Sequence, residues 1–184
     1  MLRGLLLTGS VFAVGMTNGG AALACNPSIV LSGPGSFGGV SNNGDIDCVA
    51  VTDHAVVNGN ITNEPGGTIS ATGSTPQDGI GISVQDATVN GAIVNNGVIS
   101  ATGAAISVTG KSAVTGGIRN DGEATVNAGT DAGNARGIAV TGASMTGGIT
   151  NSGTIIVTSA KGRAVGIGVG GSSSSGGRPQ EPQQ

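Results

Sequence analysis

The chain has 184 residues, of which 9% are charged, and its formal net charge is −3. It contains 37 glycines but only two phenylalanines, and it has no tryptophan or tyrosine. This composition excludes a wide globular core built on aromatic bulk. It favours a narrow interior between short β-strands, filled with valine, isoleucine and alanine. The negative charge and the scarcity of aromatic side chains also argue against nucleic-acid binding.

Residues 1–24 have the features of a cleavable export signal. One arginine precedes a short apolar stretch from Leu5 to Val14, and Ala22-Leu23-Ala24 has the small-x-small pattern of a signal-peptidase site. The apolar stretch is too short for a permanent membrane-spanning helix. A lipoprotein signal that ends at Cys25 is the alternative, although Ala22 stands where such signals usually have leucine. Both interpretations predict export.

The two cysteines of the exported chain, Cys25 and Cys48, lie close to its start. In an oxidising compartment such a pair is most simply a disulfide. Metal binding is the weaker interpretation, because His54 is the only histidine and no Cys-x-x-Cys spacing exists. We therefore expect residues 25–48, which are rich in glycine, serine and asparagine, to form a disulfide-stapled N-terminal cap.

After residue 48, a phrase of the form Gly-x-Ile-x-Asn, followed by Gly and then Ile or Ala, occurs four times. Its copies start at residues 59, 91, 116 and 147. A unit that recurs at such intervals is typical of a stacked-repeat protein. Each unit predicts three short strands: an Ile-x-Val step, a strand ending in the Gly-x-Ile element, and a third strand beginning near residues 68, 98, 124 and 154. The second strand points inward through Ile61, Ile93, Ile118 and Ile149, and serine, threonine and asparagine are expected on the outside.

A recurrent corner separates the second and third strands. Asparagine tolerates left-handed backbone and glycine takes positive φ without a Cβ clash, which suits both to tight corners. Asn-Gly pairs also favour antiparallel hairpins, so a meander is the alternative. The return of like residues after a full unit instead favours ladders of stacked identical side chains. The predicted corner residues are Asn63, Gly67, Asn95, Gly97, Asn120, Gly122, Asn151 and Gly153.

These patterns predict an all-β fold, a right-handed parallel β-helix (β-solenoid) of about four to five rungs over residues 49–170. Disorder of this glycine-rich chain is the alternative, but its apolar residues sit at recurring places. Residues 171–184, rich in Gly, Ser, Pro and Gln, predict a flexible tail. An uncapped last rung would expose unpaired backbone groups to which another strand can add.

The cleavable signal, the early cysteine pair and the Gly-x-Ile-x-Asn-x-Gly-x-Ile coils, spanning residues 25 to about 170, together resemble the passenger region of bacterial autotransporter proteins. The resemblance implies a β-helical passenger displayed at the cell surface, often as an adhesin, and exported through a C-terminal membrane β-barrel. The chain departs from that family after Gly177, where no alternating strands follow and no terminal aromatic is present. We expect a fragment or shortened relative, export by a separate outer-membrane translocator, or retention in the periplasm.

No residue pattern indicates a catalytic centre, and we expect neither enzymatic activity nor a cofactor. Carboxylates crowd only at Asp45, Asp47 and Asp53, which could hold Ca²⁺ weakly, although solvated cap residues are the simpler interpretation. His54 has no evident nucleophile partner. Sugar-cleaving sites need clustered carboxylates, and usually aromatic platforms that this chain lacks.

The leading functional hypothesis is a secreted or surface-displayed structural or adhesive module that acts through contact area and multivalency. Alternatives are a glycan- or ice-binding protein that uses outward threonine and serine, and a degenerate carbohydrate-active enzyme. Expected partners are a surface receptor or glycan, a translocator, or further copies of the chain. Lys and Arg are absent between Cys25 and Gly110 while six follow; this polarity would suit head-to-tail association, although chance placement is the simpler interpretation.

Overall fold

The computed structural model describes residues 28–73, 79–128 and 133–170, and these ranges form β-strands joined by corners. None of the described segments is a helix long and apolar enough to cross a membrane. In chain order the strands are β1 (Ser28–Ser32), β2 (Ser36–Asn42), β3 (Asp45–Ile46), β4 (Cys48–Thr52), β5 (Val56–Asn63), β6 (Thr68–Ala71), β7 (Ile80–Gln85), β8 (Thr88–Val89), β9 (Ile93–Asn95), β10 (Val98–Ala101), β11 (Ala104–Thr109), β12 (Ala113–Val114), β13 (Ile118–Asn120), β14 (Glu123–Ala128), β15 (Ala135–Thr141), β16 (Ser144–Met145), β17 (Ile149–Asn151), β18 (Thr154–Ser159) and β19 (Ala164–Gly170).

The strands form three sheets, and the chain visits them in rotation. Sheet 1 has the order β1-β4-β7-β11-β15-β19, and sheet 3 has the order β18-β14-β10-β6-β3. Sheet 2 is built around β5, which pairs with β2 on one side and with both β8 and β9 on the other. Every pairing is parallel and joins a strand to its equivalent one winding later. We call each winding a coil; the chain is a parallel β-solenoid of about four coils, and an antiparallel meander is excluded.

Equivalent apolar residues of successive coils lie directly over one another. In sheet 2, Ile118 is the register partner of both Ile93 and Ile149. In sheet 1, the first residues of the Ile-x-Val steps form a column. In sheet 3, the second residue of each strand forms another. Because strand side chains alternate between the two faces, these columns point together into the interior, and all their members except Ile167 pack in its aliphatic core. The columns are Val49–Ile82–Ile106–Ile138–Ile167 in sheet 1 and Ile46–Ile69–Ile99–Ala124–Ile155 in sheet 3.

The segment expected to cap the solenoid is itself part of the winding. Residues 28–46 carry β1, β2 and β3, and these strands pair in parallel with β4, β5 and β6. Cys48 opens β4 and is buried, whereas Cys25 lies outside the described residues, so the disulfide stays a prediction. The predicted export signal and tail also lie outside the described ranges.

The last coil is more exposed than the coils before it. Ile167 and Val169 in β19 are 45% and 69% exposed, whereas their register partners Ile138 and Val140 are almost fully buried. Sheet 1 ends at β19, so the apolar interior of the described solenoid is open at its C-terminal end.

Candidate functional site

A ladder of asparagine side chains runs along one corner of the solenoid, between sheets 2 and 3. Each Asn donates a hydrogen from its Nδ2 atom to the Oδ1 atom of the next Asn. The four bonds are Asn42 to Asn63 (2.8 Å), Asn63 to Asn95 (2.8 Å), Asn95 to Asn120 (2.7 Å) and Asn120 to Asn151 (2.7 Å). All but Asn151 are buried.

The second hydrogen of each ladder amide satisfies backbone carbonyls at the same corner. Asn63 Nδ2 lies 3.2 Å from the carbonyl oxygens of both Gly67 and Val98, and Asn95 Nδ2 donates to Glu123 at 3.1 Å. A buried amide whose partners are all present rigidifies a core, whereas one left without partners costs free energy. The ladder therefore fixes the register of the coils. The expectation that these asparagines lie on the outside is wrong for Asn63, Asn95 and Asn120.

Sequence reasoning missed Asn42, the first member of the ladder. It belongs to Asn42-Asn43-Gly44, which repeats the Asn-Asn-Gly of the later corner at residues 95–97. The preceding phrase is Gly-Gly-Val instead of Gly-x-Ile, and a register shift between Gly38 and Val40 interrupts β2. The corner tripeptide was the signal that could have revealed this coil.

The corner glycines are required for close approach and not for positive φ. Gly67, Gly97, Gly122 and Gly153 all lie outside the positive-φ region, so that part of the prediction is wrong. A Cβ at Gly97 would clash with the carbonyl oxygen of Gly67, and a Cβ at Gly122 would clash with that of Gly97. Since neighbouring coils lie about 4.8 Å apart, backbone passes directly over backbone here and leaves no room for a side chain.

Most positive-φ residues among those described instead occupy the corner that follows sheet 1, while Gly59 and Gly117 lie on sheet 2. Gly110 and Gly142 have φ values of 68° and 71°, and Asp86 occupies the equivalent place with φ 50°. Asp86 Oδ1 accepts the backbone N–H of Lys111 at 2.8 Å, which offsets part of the cost of a left-handed non-glycine residue. The recurring pair formed by a polar residue and then Gly or Asp after each Ile-x-Val step was the available sequence signal.

The structure does not bring Asp45, Asp47 and Asp53 together as a group of three ligands. No group of three or more His, Cys, Asp or Glu side chains in the described ranges could hold a metal ion. Asp45 and Asp53 are exposed, and Asp53 Oδ2 accepts hydrogens from the Ser32 hydroxyl at 2.5 Å and the Thr52 hydroxyl at 3.1 Å. These hydrogen bonds, that of Ser32 first, lower the pKa of the Asp53 carboxyl below its ordinary value.

His54 lies on the same corner with its side chain exposed and φ 67°. Its backbone N–H donates to the carbonyl oxygen of Asp86 at 2.8 Å. This hydrogen bond joins the backbone of His54 to the backbone of the next coil.

A shallow groove lies on sheet 2, with a volume of about 370 Å³. It crosses the coils where the chain passes from the short strands β8, β12 and β16 to β9, β13 and β17. Arg119 stands on its wall and forms an ion pair with Asp121 at 2.9 Å (Nε to Oδ2). The lining residues are Asn60, Ala92, Val94, Gly116, Ile118, Arg119, Gly148 and Thr150.

The outward columns of the three sheets differ in character. On sheet 3 the column Thr68–Val98–Glu123–Thr154 mixes hydroxyl, apolar and charged groups. On sheet 1 the small residues Ala50, Ser83, Ser107 and Ala139 form a column that is buried. No regular array of threonines runs along the described faces.

The chain matches no protein-family model, and neither a curated protein nor a solved structure shows significant similarity to it. The resemblance to autotransporter passengers therefore rests on the residue pattern alone.

Proposed function

We propose that the chain is a secreted or cell-surface structural or adhesive module of the autotransporter-passenger type. The observation that carries the proposal is the exact superposition of coils, which repeats each outward position along the axis at intervals of about 4.8 Å. A partner with a repeating surface would meet an outward side chain at the same spacing on each coil, and linked weak contacts add to a high avidity. The ladder of buried asparagines supports this role because it fixes the register of the coils, and with it the positions of the outward side chains.

The proposal includes the finer features predicted from the sequence. The coils wind in the right-handed sense, a disulfide between Cys25 and Cys48 staples the first coil, and residues 1–24 direct export. A receptor or glycan on another cell is the expected partner, and an outer-membrane translocator carries the chain to the surface.

Surface display tests the adhesive role. The chain is fused to an outer-membrane anchor in a non-adherent bacterium, and aggregation and attachment to host cells are counted. We expect attachment several-fold above cells that carry the anchor alone. The variant Ile93→Asp, which places a carboxylate in the core, should lose this gain at equal surface amount. Attachment equal to the bare anchor on all surfaces would refute the adhesive role.

Export has its own test. The full chain is expressed in a Gram-negative host, and the mass of the product outside the cytoplasm is measured. We expect a product that begins at Cys25, and the variant Ala24→Lys should remain uncut because the cleavage site needs a small residue. Full-length chain confined to the cytoplasm would contradict the export signal.

Glycan binding is a second candidate, favoured by the groove on sheet 2. Arg119 and Asn60 offer hydrogen-bond donors beside an extended concave surface. Gly148 has no atom within 4 Å of where its Cβ would lie, so Gly148→Trp should fill the groove and leave the fold intact. If a glycan array yields a ligand, this variant should lose most of its affinity, and Val98→Trp on sheet 3 should keep it. Equal binding by both variants would rule out the groove.

A further inference from the structure

The C-terminal end of the solenoid presents an apolar edge with the geometry of an unfinished coil. Ile167 and Val169 project from β19 with about half or more of their surface exposed. Strand β19 is paired with β15 on one side, and no described strand lies on its other side. An edge with open N–H and C=O groups is a template for another strand.

Residues 171–184, which come directly after this edge in the sequence, supply little apolar side chain to cover it. Residues 171–184 read Gly-Ser-Ser-Ser-Ser-Gly-Gly-Arg-Pro-Gln-Glu-Pro-Gln-Gln. Apart from the two prolines, that stretch has no side chain suited to burial against Ile167 and Val169. A surface that buries Ile167 and Val169 must come from outside residues 171–184.

The asparagine ladder has a direction, and its two ends are complementary. At the C-terminal end, Asn151 Nδ2 donates to the Gly153 carbonyl at 3.1 Å, and no further Asn follows among the described residues. At the N-terminal end, Asn42 Oδ1 accepts only the backbone N–H of Gly44, at 3.3 Å, within those residues. A donor at one end and an acceptor at the other continue the ladder only when the end of one molecule meets the start of the next.

The charges of the two ends are also opposite. In the first coil, Asp45 begins β3 and Asp47 lies between β3 and β4, whereas Lys161 and Arg163 lie between β18 and β19 in the last coil. Two C-terminal ends brought together would set cations against cations and Asn donors against Asn donors. The head-to-tail arrangement brings the cationic end of one copy to the acidic end of the next, and the Asn donor of one copy to the Asn acceptor of the next.

We propose that copies of this chain associate head to tail, with the last coil of one copy stacked on the first coil of the next. The columns define the joint: Ile167 and Val169 meet Ile29 and Leu31 of the second copy, and Asn151 donates to its Asn42. Because the contact is heterologous, it does not close on itself, and filaments grow from it. This inference stands apart from the adhesive role.

Sedimentation of the full chain at increasing concentration tests the association. We expect the mean mass to rise with concentration and to fall with added salt. Val169→Lys should abolish the rise, because it puts a cation into the apolar joint. The matched variant Val98→Lys, on an exposed lateral position in the middle of sheet 3, should keep it. A wild-type chain that stays monomeric, or two variants that behave alike, would overturn the proposal.

Cross-linking tests the orientation. Ser41 and Thr150 are exposed and occupy one outward column, Ser41–Thr62–Val94–Arg119–Thr150. In the proposed stack Thr150 of one copy neighbours Ser41 of the next. A short bismaleimide should join Ser41→Cys to Thr150→Cys when the two variants are mixed, and should join neither variant to itself. Dimers formed within either variant alone, or no dimers in the mixture, would refute head-to-tail stacking. Circular dichroism confirms that both variants are folded.

Discussion

The Nδ2 atom of Asn63 donates a hydrogen to the Oδ1 atom of Asn95 at 2.8 Å, although 32 residues separate the two in the chain. Both side chains are buried, at 1% and 0% exposure. The bond links one coil to the next without crossing the apolar core. Every interior member of the ladder serves in this way as donor to one coil and acceptor from another, so removing one member affects two junctions.

Substitution of Asn95 by alanine should therefore be costly. Asn95→Ala leaves Asn63 Nδ2 without its ladder acceptor, and it removes the donor to Asn120 Oδ1 and the Glu123 carbonyl. We expect the free energy of unfolding to fall by about 3 kcal/mol, because buried polar groups lose their partners. Urea titration measures the loss.

Asn151→Ala is the matched control for this experiment. Asn151 is exposed at the end of the ladder, and Asn120 Nδ2 keeps the Gly122 and Thr154 carbonyls as acceptors. The loss should be about 1 kcal/mol or less. Equal losses in the two variants would mean that the ladder does not join the coils.

A second prediction separates glycines that allow close stacking from glycines that do not. A methyl group at Gly97 would collide with the carbonyl oxygens of Gly67 and Glu64, which belong to backbone and cannot turn aside. We expect Gly97→Ala to lower the free energy of unfolding by about 2 kcal/mol or more. Gly148→Ala has open space around its Cβ and should change stability by no more than about 0.5 kcal/mol. Similar values for both variants would show that the coils can separate at the corner without cost.

A third prediction concerns the Asp53 carboxyl. Its pKa in the folded chain lies below the ordinary value of 3.8, mainly because the Ser32 hydroxyl donates to it. With the folded-state pKa depressed, its stabilising contribution is present above 3.8 and is lost as pH falls through the folded-state pKa. Ser32→Ala should raise the pKa towards 3.8, and carbon NMR of the carboxyl group measures the shift. Ser36→Ala, whose hydroxyl bonds Asn58 instead, should leave it unchanged. A wild-type pKa at or above 3.8 would contradict this account.

The architecture was predictable because it depends on recurrence. Ile93 and Ile118 stand at the same point of the repeated phrase, and a parallel winding is the arrangement that superimposes such points. The corner asparagines were found for the same reason. The predicted starts of the third strand at residues 68, 98 and 154 are confirmed. Strand β14 begins one residue before the predicted start, at Glu123, because an outward charged residue adds no apolar signal.

Other features depend on distances between atoms of neighbouring coils, which the amino-acid sequence does not specify. Residue 97 must be glycine because the carbonyl oxygen of Gly67 in the neighbouring coil leaves no room for a Cβ. The sequence had suggested positive φ as the reason for this glycine. The first coil was hidden because its inward position in β2 is Val40 after a bulge, and this breaks the pattern by which the later coils were recognised. Whether Asn63 is buried depends on its stacking partners, which sequence position alone does not reveal.

The last prediction concerns the staple at the start of the solenoid. Cys48 begins β4 and is buried, so a disulfide to Cys25 would tie the chain ahead of β1 to the second coil. A covalent link of this kind restricts the unfolded ensemble and holds the end it closes. Cys25→Ser, which changes no described side chain, should speed amide hydrogen exchange in β1, β2 and β3 by about tenfold or more. Exchange in β14 and β15 should not change. A reducing agent should reproduce this effect in the wild-type chain and add nothing in the variant, because the variant has no disulfide to break. Equal acceleration at both ends of the solenoid, or none at the start, would show that the cysteines do not staple the first coil.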